Sequence, residues 1–149
     1  MSRTASEPTL RLKPGRERPV RQGHPWIFSG AIADLAPSLP PGSPVRIETA
    51  EGTFLGRGYA NPRCAIAVRL LTTDDTPIDA HFFAARVSAA LALRRAVVPP
   101  GTDAYRLLNG EGDGLPGTIA DVYGGMVVLQ CLTAGAEHFK PEIVAAVQA

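Results

Sequence analysis

The chain has 149 residues, 45% of them hydrophobic and 19% charged, with a formal net charge of +1. That is enough apolar material for one domain or two small ones. With no apolar run near the ~18 residues of a membrane span and no hydrophobic leader, it predicts a soluble, cytoplasmic protein. Fifteen glycines and fourteen prolines against few aromatics predict turns and short strands.

In chain order, residues 1–8 read as a disordered tail. The Arg-rich start raises a transit peptide, but Glu7 and Glu17 interrupt it and no amphipathic stripe is present. Leu10-Arg-Leu-Lys alternates as a short strand, and Glu17 to Gly23 can form about two helical turns. His24-Pro25-Trp26-Ile27-Phe28 is an apolar plug, in which Trp26, the single tryptophan, is expected to pack in the core rather than stack on a base. After a proline-rich loop, Val45 to Thr49 and Phe54 to Tyr59 form a hairpin, with Gly56 and Gly58 marking a bulge or tight bend. Ile66 to Leu71 is one more strand. Five or so short strands and one small helix predict a compact β-barrel over residues 9–73, closed so that its sheet edges are hidden.

Thr72 to Pro77 is a polar connector, after which Asp79 N-caps a long helix reaching about Val98 and ended by Pro99-Pro100-Gly101. Phe83, Val87, Ala90, Leu91 and Val97 share one face, and Arg94 inside that stripe must snorkel or meet a partner. Pro141 opens a final helix of about nine residues. Nothing follows for it to pack back against, so residues 74–149 read as an α+β domain cut within a larger protein.

The stretch from Arg106 to Gly125 admits three readings. Gly112, Gly114 and Gly117 satisfy G-x-G-x-x-G, but a nucleotide loop needs a strand before it and a helix after it. Here Thr118 to Tyr123 and Met126 to Leu132 read as two strands around a Gly124-Gly125 turn. Glu111 and Asp113, with Asp121 as a third, could be working carboxylates. Flanking glycines favour a structural turn, and the run lacks the ligand ladder of a calcium loop.

Charge is divided unevenly. Residues 1–69 hold ten Arg and Lys against five acids, and residues 70–149 hold five against nine. The positive charge is densest from Arg11 to Arg21, where five cations face only Glu17. Charge alone leaves open both contact with RNA or DNA and a merely solvated face. Cys64 and Cys131 are far apart with no C-x-x-C and are expected to be buried, reduced thiols, while His24, His81 and His138 are isolated in sequence. No metal site is assigned.

Three segments carry a resemblance: Lys13-x-Gly-Arg-Glu-Arg; Arg21-x-x-His-Pro-Trp-Ile-Phe-Ser-Gly-Ala-Ile; and Arg106-Leu-Leu-x-Gly-Glu-x-Asp-Gly-Leu-Pro-Gly with Asp121-x-Tyr. Together with Leu129 to Glu137, they resemble the N-terminal portion of the ribosomal RNA large-subunit methyltransferase I family over residues 9–149. The resemblance implies a PUA domain that binds RNA, a central α+β domain, and a Rossmann-like domain that binds S-adenosylmethionine. It also implies methylation at C5 of a 23S rRNA cytosine through a cysteine nucleophile. The family's nucleophile and cofactor loop belong to the last domain. Neither Cys64 nor Cys131 matches a catalytic motif, so this chain is assigned no catalytic residue and no cofactor of its own.

The resulting expectation is an α+β chain: a PUA-like barrel, then an incomplete α+β domain, with the Rossmann-like domain absent. Its function would be RNA binding within an S-adenosylmethionine-dependent rRNA methyltransferase. Lys13, Arg16, Arg18, Arg21 and His24 are the expected ribosomal RNA contacts, with Arg46, Arg57 and Arg63 peripheral. Two alternatives compete: a stand-alone RNA-binding or protein-interaction module without catalysis, docking a partner or a second subunit as a homodimer, and an independent hydrolase using Glu111 and Asp113.

Overall fold

A computed structural model describes residues 7–149. It divides between Thr76 and Pro77 into two compact units.

The first unit is built on one five-stranded sheet. Its strands are β1 (Thr9–Arg11), β2 (Trp26–Phe28), β3 (Ser43–Glu48), β4 (Phe54–Ala60) and β5 (Ile66–Thr72), in the order β1-β3-β4-β5-β2. β1 runs parallel to β3, and the remaining pairs are antiparallel. The sheet curls until its two edges meet. Leu12 bridges Ile32, Lys13 N donates to the Ala31 carbonyl at 2.8 Å, and Ala33 N donates to the Arg11 carbonyl at 2.8 Å. Closure satisfies edge groups that would otherwise be open to pairing with another chain. Inside it Leu10, Leu12, Val20, Ile27, Ile32, Val45, Ile47 and Val68 form one buried cluster.

Gly58 explains how tightly β4 and β5 approach. A Cβ there would stand 2.1 Å from the Arg69 carbonyl oxygen, so only glycine fits. The register shifts between Arg57 and Gly58, which is the irregularity expected of this glycine pair.

Residues 1–6 of the expected disordered tail lie outside the described residues. Glu7 and Pro8 do not behave as a tail: the Pro8 carbonyl accepts from Arg46 N at 2.9 Å and the Glu7 carboxylate pairs with Arg57. The expected core role of Trp26 is also corrected. β2 alternates, so its middle residue Ile27 is buried while Trp26 and Phe28 on either side stay 36% and 52% exposed.

The second unit combines helices with a three-stranded antiparallel sheet. Helix α2 (Ala80–Val97) is capped by the Asp79 carboxylate, which accepts from Phe82 N at 3.1 Å. Such a cap stabilises by about 1 kcal/mol. Phe83, Val87 and Ala90 are buried, whereas Val97, expected on the same face, is exposed. The sheet is β6 (Ala104–Asn109), β7 (Thr118–Tyr123) and β8 (Met126–Cys131), with Gly124 at positive φ in the β7–β8 turn. A 3-10 turn (Gly110–Asp113) joins β6 to β7. The glycine-rich run therefore leads into a strand, so no helix N-terminus is aimed at a phosphate and the nucleotide-loop reading fails on geometry.

Helices α3 (Ala134–His138) and α4 (Lys140–Gln148) follow. The sequence did not announce α3, a five-residue helix capped by the Thr133 hydroxyl, which accepts from Ala136 N at 3.2 Å. The last helix finds its support in an element that precedes it. α4 lies on α2 and buries Ile143, while Phe139 at its start stacks at 5.1 Å from Phe83. The cysteine expectation is corrected as well: Cys64 is exposed and Cys131 is only half-buried, with burial and then Glu137 pushing its thiol up.

Candidate nucleic-acid interface

The basic segment becomes a surface through one short piece of chain. Pro at the start of helix α1 (Arg18–Arg21) presets its backbone, and buried Val20 anchors it to the barrel core. Its last carbonyls are closed off by three following N–H groups: Gln22 to Arg18, Gly23 to Val20, and His24 to Pro19 at 2.9 Å. Gly23 takes φ +85° to make this reversal. With Val20 pinned inward, Arg18 and Arg21 are left on the exposed side together with Arg16.

The same reversal delivers His24 to the start of β2. Trp26 N donates to His24 Nδ1 at 3.1 Å, and the two rings meet edge to face with centroids 5.8 Å apart. With Nδ1 accepting, Nε2 is the ring nitrogen left to donate. Beyond β2, a 3-10 turn (Ser29–Ala31) completes a cavity of about 430 Å³. Its lining is Arg16, Pro19, Val20, His24, Trp26, Ile27, Phe28, Gly30 and Ala31. Lys13 Nζ donates to the carbonyl of Gly30 at 2.9 Å, which fixes an ammonium against a lining residue.

The structure thus brings Lys13, Arg16, Arg18, Arg21 and His24 to one end of the barrel. Arg63 joins them through the turn between β4 and β5, which is tied to this end by Ser29 N donating to the Ala65 carbonyl at 2.9 Å.

Arg46 and Arg57 are placed differently. They face each other directly across β3 and β4, where two like charges would repel. Acids take up both. Asp75 accepts from Arg57 Nη2 at 2.7 Å and from Arg46 Nη1 at 2.9 Å, Glu48 accepts from Arg46 Nε at 3.1 Å, and Glu7 pairs with Arg57. Arg57 and Arg46 together hold the Asp75 carboxyl below its ordinary range, and Arg46 is raised by Asp75 and Glu48. Glu7 goes the other way: its burial outweighs the attraction of Arg57 and raises its pKa. Arg46 also lies over the Phe54 ring at 4.3 Å. The acids that silence these two arginines come from three separate segments, so charge counting along the chain could not reveal them.

Trp26 and Phe28 are the site residues that sequence reasoning missed. The signal was present in the strand period of two, which allows only one of Trp26 and Ile27 to face the core.

In the second unit, the carboxylates expected to be turn and strand-end formers are occupied. Asp113 takes two hydrogen bonds from Arg94 and one from Asn109 N, and Asp121 pairs with Arg106 at 2.9 Å, which lowers the Asp121 pKa. Among the described residues there is no group of three His, Cys, Asp or Glu side chains able to hold a metal, and no helix is long and apolar enough to cross a membrane.

The PUA-like domain family matches residues 10–73. The chain is 41% identical over 143 residues to ribosomal RNA large subunit methyltransferase I of Salmonella arizonae, covering 95% of this chain and 36% of that protein. It is 42% identical over 138 residues to the protein of the same name from Shewanella frigidimarina, covering 91% and 35%. Among solved structures, a protein assigned as a SAM-dependent methyltransferase from Streptococcus mutans superposes with a TM-score of 0.80 at 22% identity, covering 95% of this chain and 37% of that one. That likeness is one of fold. The chain spans a little over a third of the length of the curated relatives it matches. Over 95% of its length the chain is thus similar to about a third of ribosomal RNA large subunit methyltransferase I, and its residues 10–73 match the PUA-like domain family.

Proposed function

We propose that this chain is the RNA-binding portion of an S-adenosylmethionine-dependent methyltransferase that acts on C5 of a cytosine in 23S ribosomal RNA, in the cytoplasm. The carrying observation is a cavity bordered by two exposed aromatic rings and lined by Arg16, with the Lys13 ammonium bonded to its Gly30 and with Arg18, Arg21 and Arg63 exposed on the same unit. None of these five cations makes an ion pair among the described residues, in contrast to Arg46 and Arg57. Cations that are not neutralised by neighbours are available to replace counterions on phosphates. His24, with a free Nε2–H, adds a donor for a ribose or a base edge.

The methyl donor would be held outside the residues described here. The glycine-rich run, the sole stretch whose pattern suggested such a role, turns into β7 and does not fit the cofactor. What these residues contribute is placement of RNA. Affinity for structured ribosomal RNA should fall steeply with salt. Changing Arg16 and Arg18 together to Ala should flatten the slope of log affinity against log salt by roughly 1.4 to 1.8 units, the share of two phosphate contacts. A salt response equally flat in the parent chain would overturn the reading.

One observation favours a second reading, self-association. β8 is an edge strand whose Met126, Val127 and Val128 are all exposed, with Tyr123 and Leu132 beside it. Size-exclusion chromatography that shows a dimer, and loss of the dimer on Val128→Lys, would support it.

A further inference from the structure

We infer that the cavity between α1, β2 and the Ser29–Ala31 turn receives one unstacked nucleobase from a single-stranded RNA segment. This rests on the RNA-binding reading above and gives it a specific mode.

Among the described residues of the first unit, Trp26 and Phe28 are the large apolar side chains that remain exposed, and both border the same cavity. Isolated exposed apolar residues need no explanation, but two aromatic rings flanking one hollow do. Strand alternation sets both rings on the same outward face of β2, because Ile27 between them is turned into the core. The volume of about 430 Å³ falls within the ~300–1,000 Å³ of small-molecule sites in general.

The polar groups are arranged for a nucleotide in particular. No acidic side chain lines the cavity, while Arg16 does and the Lys13 ammonium is fastened to the Gly30 carbonyl beside it. An ammonium has three donors, and that bond uses one, leaving two for a phosphate. His24 is oriented by its bond from Trp26 N, so the ring offers a donor rather than an acceptor on its outer nitrogen. Aromatic faces for the base and cations for the backbone are the combination by which single strands are held, and it is tolerant of which base is presented. A paired base cannot enter a hollow of this kind without leaving its stack.

The test uses the full chain and the emission of Trp26, its single tryptophan. Three probes are compared at equal length: a single-stranded RNA hexamer, the duplex of the same sequence, and a hexamer of abasic ribose phosphates. The inference expects the single strand to quench Trp26 and to bind at least about fivefold more tightly than the abasic chain, the loss expected for one stacked base. Phe28→Ala should collapse that difference, with its circular-dichroism melt matching the parent, and Phe28→Tyr should retain it. Equal affinity for base-bearing and abasic hexamers, both still salt-dependent, would overturn the pocket while leaving RNA binding intact. Absence of binding by all three probes would instead remove the RNA-binding reading on which it stands. Quenching by an apolar blocked peptide and not by RNA would make the hollow a protein-docking site and overturn the inference.

Discussion

Arg94 on α2 reaches Asp113 in the turn after β6 through two parallel hydrogen bonds, Nη1 to Oδ1 at 2.9 Å and Nη2 to Oδ2 at 2.6 Å. The side chains are 13% and 5% exposed, and Arg94 Nε also donates to the Arg106 carbonyl at 2.9 Å. Asp113 has no oxygen to spare, since Oδ2 also accepts from Asn109 N at 2.6 Å. A carboxylate held this way organises the glycine-rich turn and is not placed to take a proton from a substrate.

Asp113→Ala should therefore destabilise the second unit by about 3 kcal/mol, the cost of leaving one member of a buried pair alone. Urea unfolding followed by far-UV circular dichroism measures it. Unchanged stability would return Asp113 to the list of working carboxylates.

Gly117 sits at φ +72°, and a Cβ on it would come within 2.2 Å of the Thr133 hydroxyl. That hydroxyl caps α3, so Gly117→Ala both strains the backbone and disturbs the cap. The expected loss is about 2 kcal/mol or more. In a Thr133→Gly background the steric part disappears, and the remaining cost of Gly117→Ala should be smaller. A double-mutant cycle on unfolding free energies reads the coupling.

Asp75 and Asp121 are held below their ordinary pKa, chiefly by hydrogen bonds from Arg57 and Arg46 in one case and from Arg106 in the other. A carboxylate depressed in the folded state adds stability above its unfolded pKa and loses it as pH falls through the folded value. The loss should develop below about pH 4 and be modest, because Asp75 is half-exposed and Arg106, the partner of Asp121, is also half-exposed. Asp75→Asn should shallow the decline in thermal midpoint between roughly pH 5 and pH 3.

The two thiols should differ in reactivity. Cys64 is exposed, whereas burial and Glu137 raise the pKa of half-buried Cys131, so alkylation at pH 8 should modify Cys64 first. Glu137→Gln should speed the slower site. Mass mapping after timed iodoacetamide treatment distinguishes them.

Much of the architecture was legible because it follows local rules. Asp79 announces the start of α2, Gly124 the β7–β8 turn, and the alternating runs the strands of the barrel. Arg94 inside an apolar stripe announced that it needs a partner. The sequence did not say which partner, because Asp113 lies nineteen residues away. α3 was missed because five residues carry too little periodicity to be seen, and α4 was judged unsupported because its support is α2, far back in the chain.

The basic segment shows the same division. Its concentration of charge between Arg11 and Arg21 is a property of the sequence alone, as are the motifs that resemble the methyltransferase family. Which cations remain available is decided in three dimensions. Curling of the sheet sets Arg46 and Arg57 among Glu7, Glu48 and Asp75, and leaves Arg16, Arg18 and Arg21 in solvent. Chain order records how many charges there are, but electrostatic screening depends on distance through space, and only the folded barrel fixes that.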